Sequence, residues 1–178
     1  MFTVGILTIS DKGSQGRRRD ESGPVIREML AETSAEVTRY EIVPDEKDAI
    51  AGKLIEWADA QRIDLILTTG GTGLAPRDIT PEATLAVIEK AAPGISEAMR
   101  AESIRKTPHG MLSRGVSGIV GKTLIINLPG SPKAVRECLE VILPAIPHAV
   151  ETVRGEAAEC AGGQGSGATE NRPLKTED

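Results

Sequence analysis

The sequence predicts an α/β three-layer sandwich, with a mainly parallel sheet, one antiparallel hairpin and helices on both faces. Three observations carry this. Short β-favouring apolar runs alternate with segments of helical periodicity along the chain. Two runs, Asp64-Leu65-Ile66-Leu67-Thr68 and Thr123-Leu124-Ile125-Ile126-Asn127-Leu128, end in glycine turns that lead to a hydroxyl followed by proline, the signature of a helix start. A third apolar run, residues 116–120, meets residues 123–128 across Gly121-Lys122, which reads as a hairpin.

In chain order, residues 3–9 read as a buried first strand. A polar loop follows from Ser10 to Gly23, long for a strand-to-helix connection. It either carries Ser10, Asp11 and the cluster Arg17-Arg18-Arg19 to the sheet end or leaves the arginines as a solvated charge run. Pro24 is expected to start a helix reaching about Glu32. Residues 36–43 form a more polar strand suited to a sheet edge. Asp45, after Pro44, sits where an N-cap belongs, with Asp48 in the capping-box position. Ile50, Leu54, Trp57 and Ala58 then recur at helical spacing.

The centre of the chain is Thr69-Gly70-Gly71-Thr72-Gly73, followed by Arg77, Asp78, Thr80 and Pro81. Strand ends of open α/β sheets are where ligands bind. Glycines there let backbone N–H groups approach an anion without a Cβ in the way. Beyond it, Ala83, Val87, Ile88 and Ala91 give a helical stripe, Pro93-Gly94 breaks it, and residues 95–106 resume helical spacing.

Gly121-Lys122-Thr123 is not a Walker loop. Val116 stands where the first glycine belongs, and a strand rather than a helix follows. Pro129-Gly130-Ser131-Pro132-Lys133 repeats the logic of the central loop, with Ser131 at the cap position and Pro132 opening a helix whose N-terminus suits a phosphate. That helix carries Val135, Cys138, Leu139 and Ile142 on one stripe, and Pro144 starts a last helix to about Arg154. From Gly155 periodicity is lost. The expected organisation is one domain, residues 1–154, and a disordered tail, residues 155–178.

Composition removes several function classes. Net charge is −5, and from Gly155 onward five acids stand against two bases, which leaves a nearly neutral domain without the basic face of a nucleic-acid binder. No run approaches the ~18 apolar residues of a membrane span. A cytoplasmic protein is expected. Cys138 and Cys160 make no disulfide framework, His109 and His148 are isolated, and neither glycine loop matches the dinucleotide fingerprint.

With both loops located, the chain resembles the molybdopterin adenylyltransferase family of molybdenum-cofactor synthesis over roughly residues 3–154. The resemblance rests on residues 69–73, on Pro76-Arg77-Asp78-Ile79-Thr80-Pro81-Glu82-Ala83, on Met111-Leu112-Ser113-Arg114, and on residues 127–134. The turn Val43-Pro44-Asp45-Glu46 also fits. It implies a Mg²⁺-dependent attack of the molybdopterin phosphate on the α-phosphate of ATP. The two essential aspartates would fall on Asp45 and Asp78, with the metal on Asp78. Substrate would meet Thr69, Gly70, Gly71, Thr72, Gly73, Ser113, Pro129, Gly130, Ser131 and Lys133. Ser10, Asp11 and Arg77, beside these loops, complete the expected set. A homotrimer, or a hexamer, is implied, and the molybdate-inserting enzyme is a candidate partner. The competing readings are a molybdopterin carrier without catalysis and an oligomeric interaction domain.

Overall fold

The computed structural model describes residues 1–156. The expected tail from residue 157 on, Cys160 included, lies outside the described residues. The elements are β1 (Phe2–Ile9), α1 (Asp11–Ser14), α2 (Ser22–Leu30), β2 (Ala35–Val43), α3 (Lys47–Ile55), β3 (Leu65–Thr69), α4 (Thr80–Leu85), β4 (Lys90–Ala91), α5 (Pro93–Lys106), β5 (Ser117–Val120), β6 (Thr123–Leu128), α6 (Pro132–Ile142) and α7 (Ile146–Arg154). A π-helical turn, Glu56–Ala60, extends α3, and a 3₁₀ turn, Pro108–Leu112, follows α5.

The strands form one six-stranded sheet in the order β2-β1-β3-β6-β5-β4. The pairs β1–β2, β1–β3 and β3–β6 are parallel, and the β5–β6 hairpin is antiparallel as expected. Because four strands run parallel, the carboxyl ends of β1, β2, β3 and β6 share one edge of the sheet. The chain leaves β1 toward β2 on one side and returns to β3 on the other. The crevice outside these two strand ends is therefore a topological switch point, the usual ligand position in such sheets.

Strand alternation sends side chains to both faces, and both faces are covered. Val4, Ile6, Leu65, Leu67, Leu124, Ile126 and Leu128 pack with Ile26, Leu30, Val135, Leu139 and Val150 from α2, α6 and α7. Leu7, Ile9, Ile66 and Ile125 face the other way, onto Ile50, Leu54, Trp57 and Ala83. Trp57 fills space that Gly5 leaves open, since a Cβ at Gly5 would lie 2.5 Å from the indole.

Several element boundaries differ from the sequence expectation. The helix expected through Ala91 stops at Leu85, and Lys90–Ala91 instead pair antiparallel with β5, adding a second antiparallel pair. The Glu89 N–H donates to the Ile119 carbonyl at 2.8 Å, so edge pairing with β5 outcompetes continuation of the helix. Helix α2 begins at Ser22 rather than Pro24, because Oδ1 of Asp20 accepts the free N–H groups of Ser22 and Gly23 at 2.9 and 3.2 Å. Gly155, at φ +79°, closes α7 in the left-handed conformation. Arg154 pins this last turn to Asp64 at the start of β3, whose carboxylate also accepts the backbone N–H and hydroxyl of Thr3.

Candidate active site

Outside the ends of β1 and β3 lies a cavity of about 440 Å³. Ser10, Asp45, Thr69, Gly70, Gly71, Asp78, Gly130 and Ser131 line it, eight of the residues singled out from the sequence. Four different loops deliver them. The β1 and β3 ends sit close enough that a Cβ on Gly70 would lie 2.3 Å from the Ile9 carbonyl oxygen. Gly70 (φ +99°) and Gly71 (φ +64°) both occupy backbone that side chains rarely adopt, so only glycine turns the chain here. Thr69 ties this loop to the next, its hydroxyl donating to the Pro129 carbonyl at 2.6 Å. Ser22 does the same for the opposite wall, donating to the Gly130 carbonyl at 2.8 Å.

Ser113 and Pro129 line a second, smaller cavity of about 190 Å³, together with Arg100, His109, Asn127 and Cys138. Pro129 and Gly130 are thus consecutive residues that wall different cavities. Asn127, in the lining of the second cavity, is buried. Its amide nitrogen donates to the hydroxyls of Thr68 and Thr84 at 3.0 and 2.9 Å, and its oxygen accepts the Val116 N–H at 3.2 Å. A buried amide with its partners in place fixes the positions of the strands it joins.

Asp45 does not sit as a helix cap. Helix α3 starts at Lys47, with no side chain closing its N-terminus. The Asp45 carboxylate instead accepts the Asp11 N–H at 2.8 Å. Burial lifts the Asp45 carboxyl above its usual range. The charges of Asp11 and Asp78 add to the rise, and the Asp11 N–H and Arg77 offset only part of it. Asp78 accepts the Ala75 N–H at 3.0 Å. Thr80 was expected as a cap through its hydroxyl, but that hydroxyl donates to the Gly70 carbonyl at 2.9 Å and holds the glycine loop against α4. Ser131 does occupy the N-cap position of α6, yet its hydroxyl makes no capping bond.

Five expected residues lie outside the lining of both cavities. Arg77 forks onto Asp11, with Nε at 2.9 Å and Nη2 at 2.8 Å, and reaches Glu46 at 2.9 Å. Its guanidinium is engaged by protein carboxylates, and it in turn holds the Asp11 carboxyl below the usual range. Thr72 is buried, and its carbonyl accepts the Arg114 N–H at 2.8 Å. Gly73 packs against Asp78, and Lys133 is exposed on the first turn of α6.

Other residues at the site carried no role in the sequence reading. Arg114 grips the central loop: Nε donates to the Gly73 carbonyl at 2.7 Å, Nη2 to the Asp78 carbonyl at 2.8 Å, and Nη1 pairs with Glu82. One side chain therefore sets the backbone on either side of Arg77. The only sequence signal for it is the Met111-Leu112-Ser113-Arg114 stretch. Asp20 also lines the large cavity, accepting the hydroxyls of Thr8 and Tyr40, each at 2.6 Å. Burial acts to raise its carboxyl, but these bonds and the N–H groups of Gly23 and Ser22 prevail and hold it below the usual range. Tyr40, partly buried beside that charge, is pushed up to about 12.

Among the described residues no group of three or more His, Cys, Asp or Glu is arranged to hold a metal ion by itself. No described helix is long and apolar enough to cross a membrane.

Comparison with known proteins follows the same lines. A family model described as a probable molybdopterin binding domain matches residues 5–148. The chain is 49% identical over 154 residues to the molybdopterin adenylyltransferase of Helicobacter pylori strain J99, covering 85% of this chain and 88% of that protein. It is 51% identical over 153 residues to the molybdenum cofactor synthesis protein cinnamon of Drosophila melanogaster; the match takes 85% of this chain and spans 26% of the fly protein. The crystal structure of the molybdopterin biosynthesis enzyme MoaB from Thermus thermophilus agrees at a TM-score of 0.84 with 57% identity, over 87% of this chain and 98% of that one.

Proposed function

The chain belongs to the molybdopterin-binding domain family, and from that membership we propose that it is a molybdopterin adenylyltransferase of molybdenum-cofactor synthesis. It transfers AMP from ATP to the phosphate of molybdopterin and releases pyrophosphate. The observation that carries this reading is the large cavity itself. Two carboxylates from separate loops, Asp45 and Asp78, line it together with the glycine loop and the start of α6. Asp45 and Asp78 are its catalytic pair.

The two substrates are both polyanions, so bringing their phosphates together is the main electrostatic obstacle. The N-terminus of an eleven-residue helix favours negative charge, and Gly130, Ser131 and Pro132 at its start line the cavity wall. The positive-φ turn at Gly70 and Gly71 allows a phosphate to approach the backbone closely. In this reading Ser113 and Pro129, which line the second cavity, meet the pterin end of the substrate, with Lys133 adding positive charge at the first turn of α6.

Mg²⁺ fits the donor set. Mg²⁺ is held by one or two carboxylates plus substrate phosphates rather than by an all-protein cage, and Asp78 with Asp45 beside it matches that demand. When bound, it offsets the charge that accumulates on the transferring phosphate. The reading extends to a cytoplasmic homotrimer that hands its product to the molybdate-inserting enzyme. Leu74, Met111 and Leu85, exposed at 65%, 61% and 54%, are large apolar side chains that an assembly would take out of water.

The test is direct. Purified protein with molybdopterin, ATP and Mg²⁺ should release pyrophosphate and yield an adenylylated pterin, and omission of the metal should stop both. Tight molybdopterin binding with no pyrophosphate release would leave a carrier instead.

A further inference from the structure

The three consecutive arginines of the first loop are exposed, but the backbone that carries them is held at both ends. Past the end of α1, Gly16 at φ +68° places its N–H on the Gly13 carbonyl at 3.0 Å and the Arg17 N–H on the Lys12 carbonyl at 2.8 Å. This pair of bonds is the Schellman pattern, and it turns the chain back sharply. Three residues later Asp20 is fixed by the hydroxyls of Thr8 and Tyr40 and by the N–H groups at the start of α2. Residues 17–19 are a short span between two pinned ends. The span runs along the large cavity, whose lining includes Arg18 and Arg19 but not Arg17.

Charge makes this placement informative. The remaining ionisable residues lining the cavity are all acids: Asp20, Glu21, Asp45 and Asp78. Among the described residues Arg18 and Arg19 enter no ion pair, whereas Arg77, Arg114 and Arg154 all do. Two uncommitted guanidinium groups on the wall of an otherwise acidic cavity are suited to a ligand with several adjacent phosphate oxygens, which the planar fork of arginine binds two at a time.

We propose that Arg18 and Arg19 form the binding site for the β- and γ-phosphates of the nucleotide, the part that leaves as pyrophosphate. This rests on the adenylyl-transfer reading. In that reaction an oxygen of the pterin phosphate bonds to the α-phosphorus of ATP. The bond from that phosphorus to the β-phosphate oxygen breaks, and its electron pair departs on pyrophosphate. Guanidinium groups on the leaving phosphates neutralise the charge that develops there, so they act in the transition state as well as in binding.

Calorimetric titration of inorganic pyrophosphate in Mg²⁺ buffer, with the full chain and its R18A/R19A and R17A variants, tests the site without requiring turnover. Melting curves verify that each variant is folded. R18A/R19A should bind pyrophosphate roughly 10-fold or more weakly, as expected for lost charge-assisted bonds. Its molybdopterin affinity should stay within about twofold of the parent, and R17A should behave as the parent. Pyrophosphate binding unchanged in R18A/R19A, absent in the parent, or lost equally in R17A would overturn the site. The two readings separate cleanly. A parent that binds pyrophosphate through these arginines yet forms no adenylylated pterin keeps the site and refutes the adenylyltransferase. A parent that turns over, with R18A/R19A matching it in ATP KM and kcat, refutes the site alone.

Discussion

Asp11 and Asp45 are joined by a reciprocal pair of hydrogen bonds: the Asp11 N–H donates to Oδ2 of Asp45 at 2.8 Å, and the Asp45 N–H donates to Oδ1 of Asp11 at 3.1 Å. The pair zips the loop after β1 to the loop after β2, continuing the sheet pairing one step beyond the Ser10 N–H to Val43 carbonyl bond at 2.9 Å. Arg77 closes the arrangement from the third loop by forking onto Asp11. A carboxylate lining the cavity is therefore oriented by a residue that does not line it.

Arg77 consequently acts through Asp11 and Asp45. Arg77→Ala should lower kcat by roughly 10-fold, the scale of a lost positioning contact. Molybdopterin affinity should change little. Arg77→Lys keeps the charge but loses the fork and should recover only part of the rate. Steady-state kinetics with calorimetric binding decides the matter. A large fall in molybdopterin affinity with kcat preserved would make Arg77 a direct ligand instead.

Asp78→Asn should reduce single-turnover adenylylation by about 10²-fold or more if the carboxylate anchors the metal. Its fold should persist, because the structural duty of the side chain is to accept the Ala75 N–H, which an amide oxygen also does. Turnover corrected for the folded fraction by circular dichroism measures this. A rate near the parent's would remove Asp78 from the mechanism.

Ser131 occupies the cap position of α6 without making the capping bond. The usual cost of about 1 kcal/mol for deleting a cap should therefore shrink to within ~0.5 kcal/mol in Ser131→Ala. Molybdopterin binding should weaken more than ATP binding. Urea melts and separate titrations with each ligand test the two halves. A full capping penalty would mean that the hydroxyl closes the helix in solution.

Asp20 predicts a pH dependence. Its folded carboxyl lies below the ordinary value of 3.8, so its stabilisation is fully present above that value and is lost as pH falls toward the folded value. At neutral pH, Asp20→Asn should cost about 1–3 kcal/mol through weakened bonds from Thr8, Tyr40 and the start of α2. The gap in melting temperature between parent and variant should narrow as pH drops below about 4. A gap constant down to acid pH would show that the Asp20 charge contributes nothing.

Much of the fold is legible in local pattern. Residues 64–68 and 123–128 are apolar and β-favouring with glycine turns after them, and both became central parallel strands. Burial on both faces demands that composition, so it survives in one dimension. The glycine loop was readable because positive φ at Gly70 and Gly71 leaves no other residue type comfortable. Where pattern misled, a long-range hydrogen bond had displaced a local one. Asp45 and Thr80 stand at spacings that suit helix caps, yet Asp11, 34 residues away from Asp45, and the Gly70 carbonyl, ten residues from Thr80, took those side chains.

By itself, the sequence determined the mainly parallel sheet with its hairpin and the location of the two glycine-bearing loops. These follow from periodicity, φ restriction and helix-start chemistry, which act over a few neighbouring residues. Only the tertiary structure decided that Arg77 pairs with Asp11 and Glu46, that Arg114 holds the central loop, and that Arg18 and Arg19 line the cavity while Arg17 does not. Each of those outcomes depends on which loops the parallel sheet brings to one edge. Charged side chains take whichever partner lies within hydrogen-bond reach across that edge, and spacing along the chain does not encode that distance.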